Sequence, residues 1–196
     1  MGTPEFAVAP LDALIEKGYD IVGVVTVPDK PSGRGLKLNE SAVKQYAVSK
    51  GLKIMQPVSL KDEAFLDELA SLGADLFIVV AFRMLPKVVW SMPKMGTFNL
   101  HGSLLPKYRG GAPIQKSIIN GETETGITIM YMAPKMDAGD IIAQKPYQGK
   151  TRRSARTRKD SPPCRIRKLL RFIIRKIPRV YNTGYFLFSF FSVSTG

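Results

Sequence analysis

Residues Asn99 to Arg109 read Asn-Leu-His-Gly-Ser-Leu-Leu-Pro-Lys-Tyr-Arg and contain His101, the single histidine of the chain. They close a strand-like run that begins at Gly96 and lead into a Gly/Pro-rich loop. In a strand, residues two apart project to one face, so Asn99 and His101 should point together. An amide can donate to a carbonyl oxygen, and imidazole is the side chain whose unperturbed pKa lies closest to neutrality. The pair suits acyl transfer, with one group to hold a developing oxyanion and one to relay a proton. Taken alone, a polar pair at a strand end is equally an ordinary loop entry.

The segments that must carry this pair alternate between helix and strand. Thr3-Pro4 reads as an N-cap followed by proline at the first helical position, opening a helix to Lys17 that Gly18 stops and Pro10 should kink or interrupt. Buried strands are expected over 21–27 and 76–81, where apolar residues run without alternation, as in a sheet covered on both faces. The stretch 28–35 reads as a loop. Further helices are expected over 41–50, 62–72, 87–92 and 112–120, with strands over 53–56, 96–101, 127–132 and 141–147. This order predicts an α/β fold: a Rossmann-like, mostly parallel sheet with helices on both faces. Ligands of such sheets sit beyond the carboxyl ends of the strands, where Asn99, His101 and the loop after Ala81 fall.

The chain has 196 residues, enough for one domain with a sizeable core. Its only cysteine, Cys164, excludes an internal disulfide and fits a reducing, cytoplasmic setting. No apolar run reaches the length of a membrane span, and no signal peptide is legible. The net charge of +13 invites a nucleic-acid reading, but it is unevenly placed. Residues 1–150 hold 17 Lys+Arg against 15 Asp+Glu, whereas residues 151–196 hold 12 against Asp160 alone. The basicity belongs to the tail.

Four blocks carry a family resemblance: Met1-Gly2-Thr3-Pro4-Glu5-Phe6-Ala7; Pro28-Asp29-Lys30-Pro31-Ser32-Gly33-Arg34-Gly35; Asn99 through Ile114; and Met136-Asp137-Ala138-Gly139-Asp140-Ile141. Together they resemble the N-terminal catalytic domain of the methionyl-tRNA formyltransferase family over residues 1–147. The resemblance implies a catalytic triad of Asn99, His101 and Asp137. It implies transfer of a formyl group from 10-formyltetrahydrofolate to the amino group of methionyl initiator tRNA, without a metal. Asp137 would hold the imidazole and favour its charged form. By itself Asp137 reads as a turn aspartate.

By the same resemblance, Ser103, Leu104, Leu105 and Pro106 form a folate-contacting loop. The segment 81–86, one residue shorter than the family pattern, would place Arg83, Met84 and Leu85 at the pterin pocket. Met84 and Leu85 can also be plain core. Arg34 and Lys37, in the loop 31–38, would meet the tRNA acceptor end, although a solvated loop has the same composition. The family implies a cytoplasmic enzyme, here expected to be a monomer with no membrane partner. The runner-up reading is another folate-dependent formyltransferase, acting on a sugar-nucleotide or ribonucleotide amine.

The chain departs from the family at both ends. The family's first strand precedes the Gly-Thr-Pro-Glu-Phe block, so a missing strand and two unpaired edges are expected in the sheet. Buried unpaired backbone groups cost about 1–3 kcal/mol each. Residues 148–196 form an atypical basic and aromatic tail, expected to be irregular and to derive from a frameshift or interrupted gene. A third reading is an inactive remnant whose segment 168–180 lies on nucleic acid or an anionic membrane.

Overall fold

The computed structural model describes residues 4–32, 37–81, 85–148 and 185–190. Helix α1 (Pro4–Glu16) is followed by β1 (Asp20–Val25), the short strands β2 (Lys30–Ser32) and β3 (Lys37–Asn39), α2 (Ala42–Ser49) and β4 (Ile54–Met55). Then come α3 (Glu63–Ser71), β5 (Leu76–Val80), α4 (Lys87–Trp90), β6 (Thr97–His101), α5 (Pro113–Ile119), β7 (Glu124–Tyr131), β8 (Ile141–Gln148) and β9 (Tyr185–Phe190). The main sheet has seven strands in the order β4-β1-β9-β5-β6-β7-β8. Neighbours from β4 to β6 are parallel, and β7 and β8 add antiparallel pairings. The Rossmann-like α/β architecture read from the sequence is the one observed.

Two apolar clusters sandwich the sheet. On one face Leu11 and Leu14 of α1 and Val43 and Ala47 of α2 pack on Val24, Ile78, Val80, Phe98 and Leu100. On the other, Phe65 and Leu69 of α3 and Val89 pack on Val25, Phe77 and Val79. All five residues of β5 are buried, which is why its sequence shows no alternation. Ser41 and Asp62 cap α2 and α3 by accepting from Lys44 N–H and Phe65 N–H.

Three expectations are corrected. Pro10 does not interrupt α1, which runs through it. The missing N–H forfeits one helical bond, but Ala7, Leu11, Ala13 and Leu14 bury the helix face on the sheet. The stretch 28–35 is not all loop, because Lys30–Ser32 pairs antiparallel with Lys37–Asn39.

The third correction concerns the expected gap in the sheet. The position between β1 and β5 is filled by β9, parallel to both, with Phe188 in register with Val24 and Ile78. Both edges are thereby paired, so no row of unpaired backbone groups remains there. The other tail segments, including 168–180, lie outside the described residues.

Candidate active site

Strand β6 sorts its side chains by alternation. Phe98 and Leu100 enter the first cluster, so Asn99 and His101 face the opposite side, at the carboxyl end of the parallel strands. In register, Asn99 lies opposite Met130 and His101 opposite Thr128 on β7. Asp137 enters from the connection between β7 and β8, with a left-handed φ of 47°. Gly139 keeps that connection tight, since a Cβ there would overlap the Tyr131 carbonyl.

The three side chains meet. Asn99 Nδ2 donates to Asp137 Oδ1 at 3.2 Å. Asp137 Oδ2 accepts the Gly110 backbone N–H at 2.7 Å and lies 3.6 Å from His101 Nδ1. The last separation is ion-pair range, too long for a direct hydrogen bond. Asp137 and His101 are nearly enclosed, at 10% and 7% side-chain exposure. Water therefore screens this carboxylate–imidazole pair weakly.

The far side of the imidazole is pinned. His101 Nε2 donates to the Tyr108 carbonyl at 2.8 Å. A carbonyl can only accept, so Nε2 carries a hydrogen, and Nδ1 is the ring nitrogen that faces the Asp137 carboxylate. The loop reaches this position through left-handed residues at Tyr108, Gly110 and Ala112, with φ of 57°, 86° and 56°. Such conformations cost a non-glycine residue free energy and cluster where function constrains the chain.

The loop after His101 is bolted to β7 and β8. Buried Thr128 donates through Oγ1 to Ser103 C=O at 2.7 Å and accepts Leu105 N–H at 3.1 Å. Gln144 Nε2 donates to Leu105 C=O at 2.8 Å and to Thr128 Oγ1 at 3.0 Å. Ser103 Oγ donates to Lys107 C=O at 2.6 Å. Leu104 rests on Gly126, where a Cβ would overlap it. Leu105 is buried and Pro106 exposed. The loop's placement beside His101 is thus set by internal bonds and by the burial of Leu105, while Leu104 is half-buried.

The remaining sequence-predicted residues are scattered. Leu85 is buried with Val25, Phe65, Phe77 and Val89, on the sheet face that also carries Asn99 and His101. Arg34, Arg83 and Met84 lie outside the described residues. Lys37 begins β3. This hairpin is clamped at both feet. Lys44 of α2 pairs with Asp29, just before β2, and with Glu40, just after β3, at 2.9 Å. Gln56 Nε2 also donates to Asp29 Oδ1 at 2.9 Å. The Lys44 hydrogen bond, then that of Gln56, hold Asp29 below the ordinary carboxylate range. Asp29, then Glu40, raise Lys44.

Sequence reasoning missed the Tyr108 carbonyl, the Gly110 N–H and the Thr128–Gln144 bolt. Thr128 and Gln144 lie directly opposite each other on β7 and β8, a register that no residue pattern in the two strands discloses. Among the described residues, no group of three or more His, Cys, Asp or Glu is placed to hold a metal ion. No helix among them is long and apolar enough to cross a membrane.

A Rossmann-like sheet with an amide, an imidazole and a carboxylate converging at the end of one strand defines an acyl-transfer type of site. The profile of the formyl transferase family matches residues 1–159, and the chain belongs to that family. It is similar to methionyl-tRNA formyltransferase of Parabacteroides distasonis, with 64% identity over 146 residues, covering 74% of this chain and 45% of that protein. The chain thus spans less than half the length of this relative. Its fold is similar to phosphoribosylglycinamide formyltransferase of Bacillus halodurans, with a TM-score of 0.67 and 20% identity over 92% of this chain and 95% of that one. It also resembles WlaRD, a sugar 3N-formyl transferase solved in the presence of dTDP and 5-N-formyl-THF, with a TM-score of 0.57 and 23% identity over 92% of this chain and 61% of that one.

Proposed function

We propose that residues 1–147 form the catalytic domain of a methionyl-tRNA formyltransferase, moving a formyl group from 10-formyltetrahydrofolate to the amino group of methionyl initiator tRNA. The observation that carries this reading is the convergence of Asn99, His101 and Asp137 at the end of β6. The identity to a methionyl-tRNA formyltransferase favours this acceptor over a sugar or ribonucleotide amine, for which only distant fold likenesses speak.

In this reading the amine attacks the formyl carbon and negative charge grows on the formyl oxygen. Asn99 spends one amide N–H on Asp137, and its second N–H serves that oxygen. His101 Nδ1 takes the proton that the attacking amine must lose. Asp137 stabilises the resulting imidazolium across 3.6 Å. The relayed proton then goes to the departing folate nitrogen as its bond to the formyl carbon breaks. The loop Ser103–Pro106, held beside His101 by Thr128 and Gln144, would form one wall for the donor. Leu85, Arg83 and Met84 would complete the pterin pocket. Arg34 and Lys37 would meet the tRNA acceptor end, Lys37 from the strand pair that Lys44 clamps. The domain would act in the cytoplasm as a monomer.

The test is acceptor choice. The purified full chain, given 10-formyltetrahydrofolate, should formylate charged initiator tRNA in preference to a sugar-nucleotide amine or glycinamide ribonucleotide. Preference for a small amine would move the chain to the runner-up class. No transfer to any acceptor, from a cooperatively folded chain, would make it an inactive remnant.

A further inference from the structure

We infer that Tyr108 and Glu122 form a positioning device for His101, setting the tautomer of its ring from outside the catalytic cluster. The inference rests on the formyl-transfer reading for its kinetic consequence, but not for its structural one. Tyr108 contributes at both ends. Its backbone carbonyl accepts from His101 Nε2 at 2.8 Å. Its phenol donates to Glu122 Oε1 at 2.7 Å and accepts from Asn120 Nδ2 at 3.0 Å. The residue between these two anchors has a φ of 57°, a conformation that a tyrosine does not adopt without support.

The support comes from the end of α5. Asn120 is the C-cap of α5. Glu122 follows it, its own N–H donating to Ser117 C=O at 3.0 Å. The Tyr108 bond, and then that of Lys107, hold the Glu122 carboxyl below the usual carboxylate range, so it accepts as an anion near neutrality. The end of α5 is thereby linked through one side chain to the carbonyl that fixes the imidazole. With the carbonyl in place, Nε2 keeps its hydrogen, and Nδ1, on the Asp137 side, is the nitrogen left to take up a proton. Without the anchor, Tyr108 can relax to ordinary backbone angles. The carbonyl then leaves Nε2, and the ring exchanges between tautomers, only one of which can accept the amine proton at Nδ1.

His101 is the only histidine, so its ring nitrogens can be observed alone in the full chain. The experiment records the ring ¹⁵N shifts at a pH where His101 is neutral, in the parent protein and in Tyr108→Phe, Glu122→Ala and the double variant. The parent should show the Nε2–H tautomer. Each single variant should shift the ring toward a mixture, and the double variant should add little, since both cut the same link. Formyl transfer should fall about ten- to a hundredfold in kcat, as for a displaced catalytic group, with affinity for a folate analogue unchanged. Glu122 is half-buried and outside the core clusters, so Glu122→Ala remains informative if Tyr108→Phe fails to fold. An unchanged tautomer ratio in Glu122→Ala overturns the inference. A shifted ratio in a protein that transfers no formyl group upholds it and refutes the functional reading instead.

Discussion

Asn99 and Asp137, separated by 38 residues in the chain, are joined by one hydrogen bond of 3.2 Å from amide to carboxylate. That bond ties the end of a parallel strand to the connection between two antiparallel ones. It spends one of the two amide hydrogens of Asn99 to orient the carboxylate. Asp137 is the hub, because it also receives the Gly110 N–H and faces His101.

Asp137→Asn should therefore weaken catalysis more than folding. The neutral amide keeps the shape but no longer stabilises an imidazolium. Transfer should fall about a hundredfold or more, while the chain still unfolds cooperatively, at a midpoint lowered by the loss of one of the two N–H bonds that Asp137 accepts, from Asn99 or Gly110. The ratio of kcat in variant and parent, with Tm as control, checks this.

Gly139→Ala should act on the same hub through the backbone. The added carbon meets the Tyr131 carbonyl, so the connection carrying Asp137 must shift. Overpacking of this kind costs about 1–3 kcal/mol. Denaturant unfolding should show that loss, accompanied by reduced transfer. A variant with parental stability would mean the connection is looser than described.

Much of this was legible in the sequence. The unalternating Leu76–Val80 run suited a doubly covered strand, and the helices expected over 41–50 and 62–72 are α2 and α3. The facing of Asn99 and His101 followed from a period of two. Asp137 was legible only through the resemblance, since a lone turn aspartate has no local signature. The pin on Nε2 was not legible at all, because a backbone carbonyl leaves no mark in a residue pattern. Nor was the strand Tyr185–Phe190, whose partners are far away in sequence and whose neighbours carry the charge of a tail.

That strand gives the third prediction. Phe188→Pro removes a backbone donor from the centre of a parallel sheet, between Val24 and Ile78. Each partner left unpaired costs about 1–3 kcal/mol, equivalent to a Tm lowered by several degrees, about 2–4 °C per kcal/mol. Thermal unfolding of the full chain checks it. An unaltered Tm would remove residues 185–190 from the sheet.

The hairpin clamp should carry a pH signature. Asp29 is lowered from its ordinary 3.8, so its contribution is present above that value and lost as pH falls through the lower folded one. Lys44 is raised from 10.5, so its contribution is present below that value and lost as pH rises through the higher folded one. Amide exchange in β2 and β3 should therefore be protected evenly from about pH 4 to 10, after correction for intrinsic exchange rates. Protection should fall only at the extremes, and Lys44→Met should abolish the plateau.

The most direct measurement is single-turnover formyl transfer to charged initiator tRNA by the parent chain and by His101→Ala, with folate-analogue affinity measured on both. The account predicts transfer by the parent, none above background by the variant, and equal affinity for the analogue. Transfer at the parental rate by His101→Ala would contradict it.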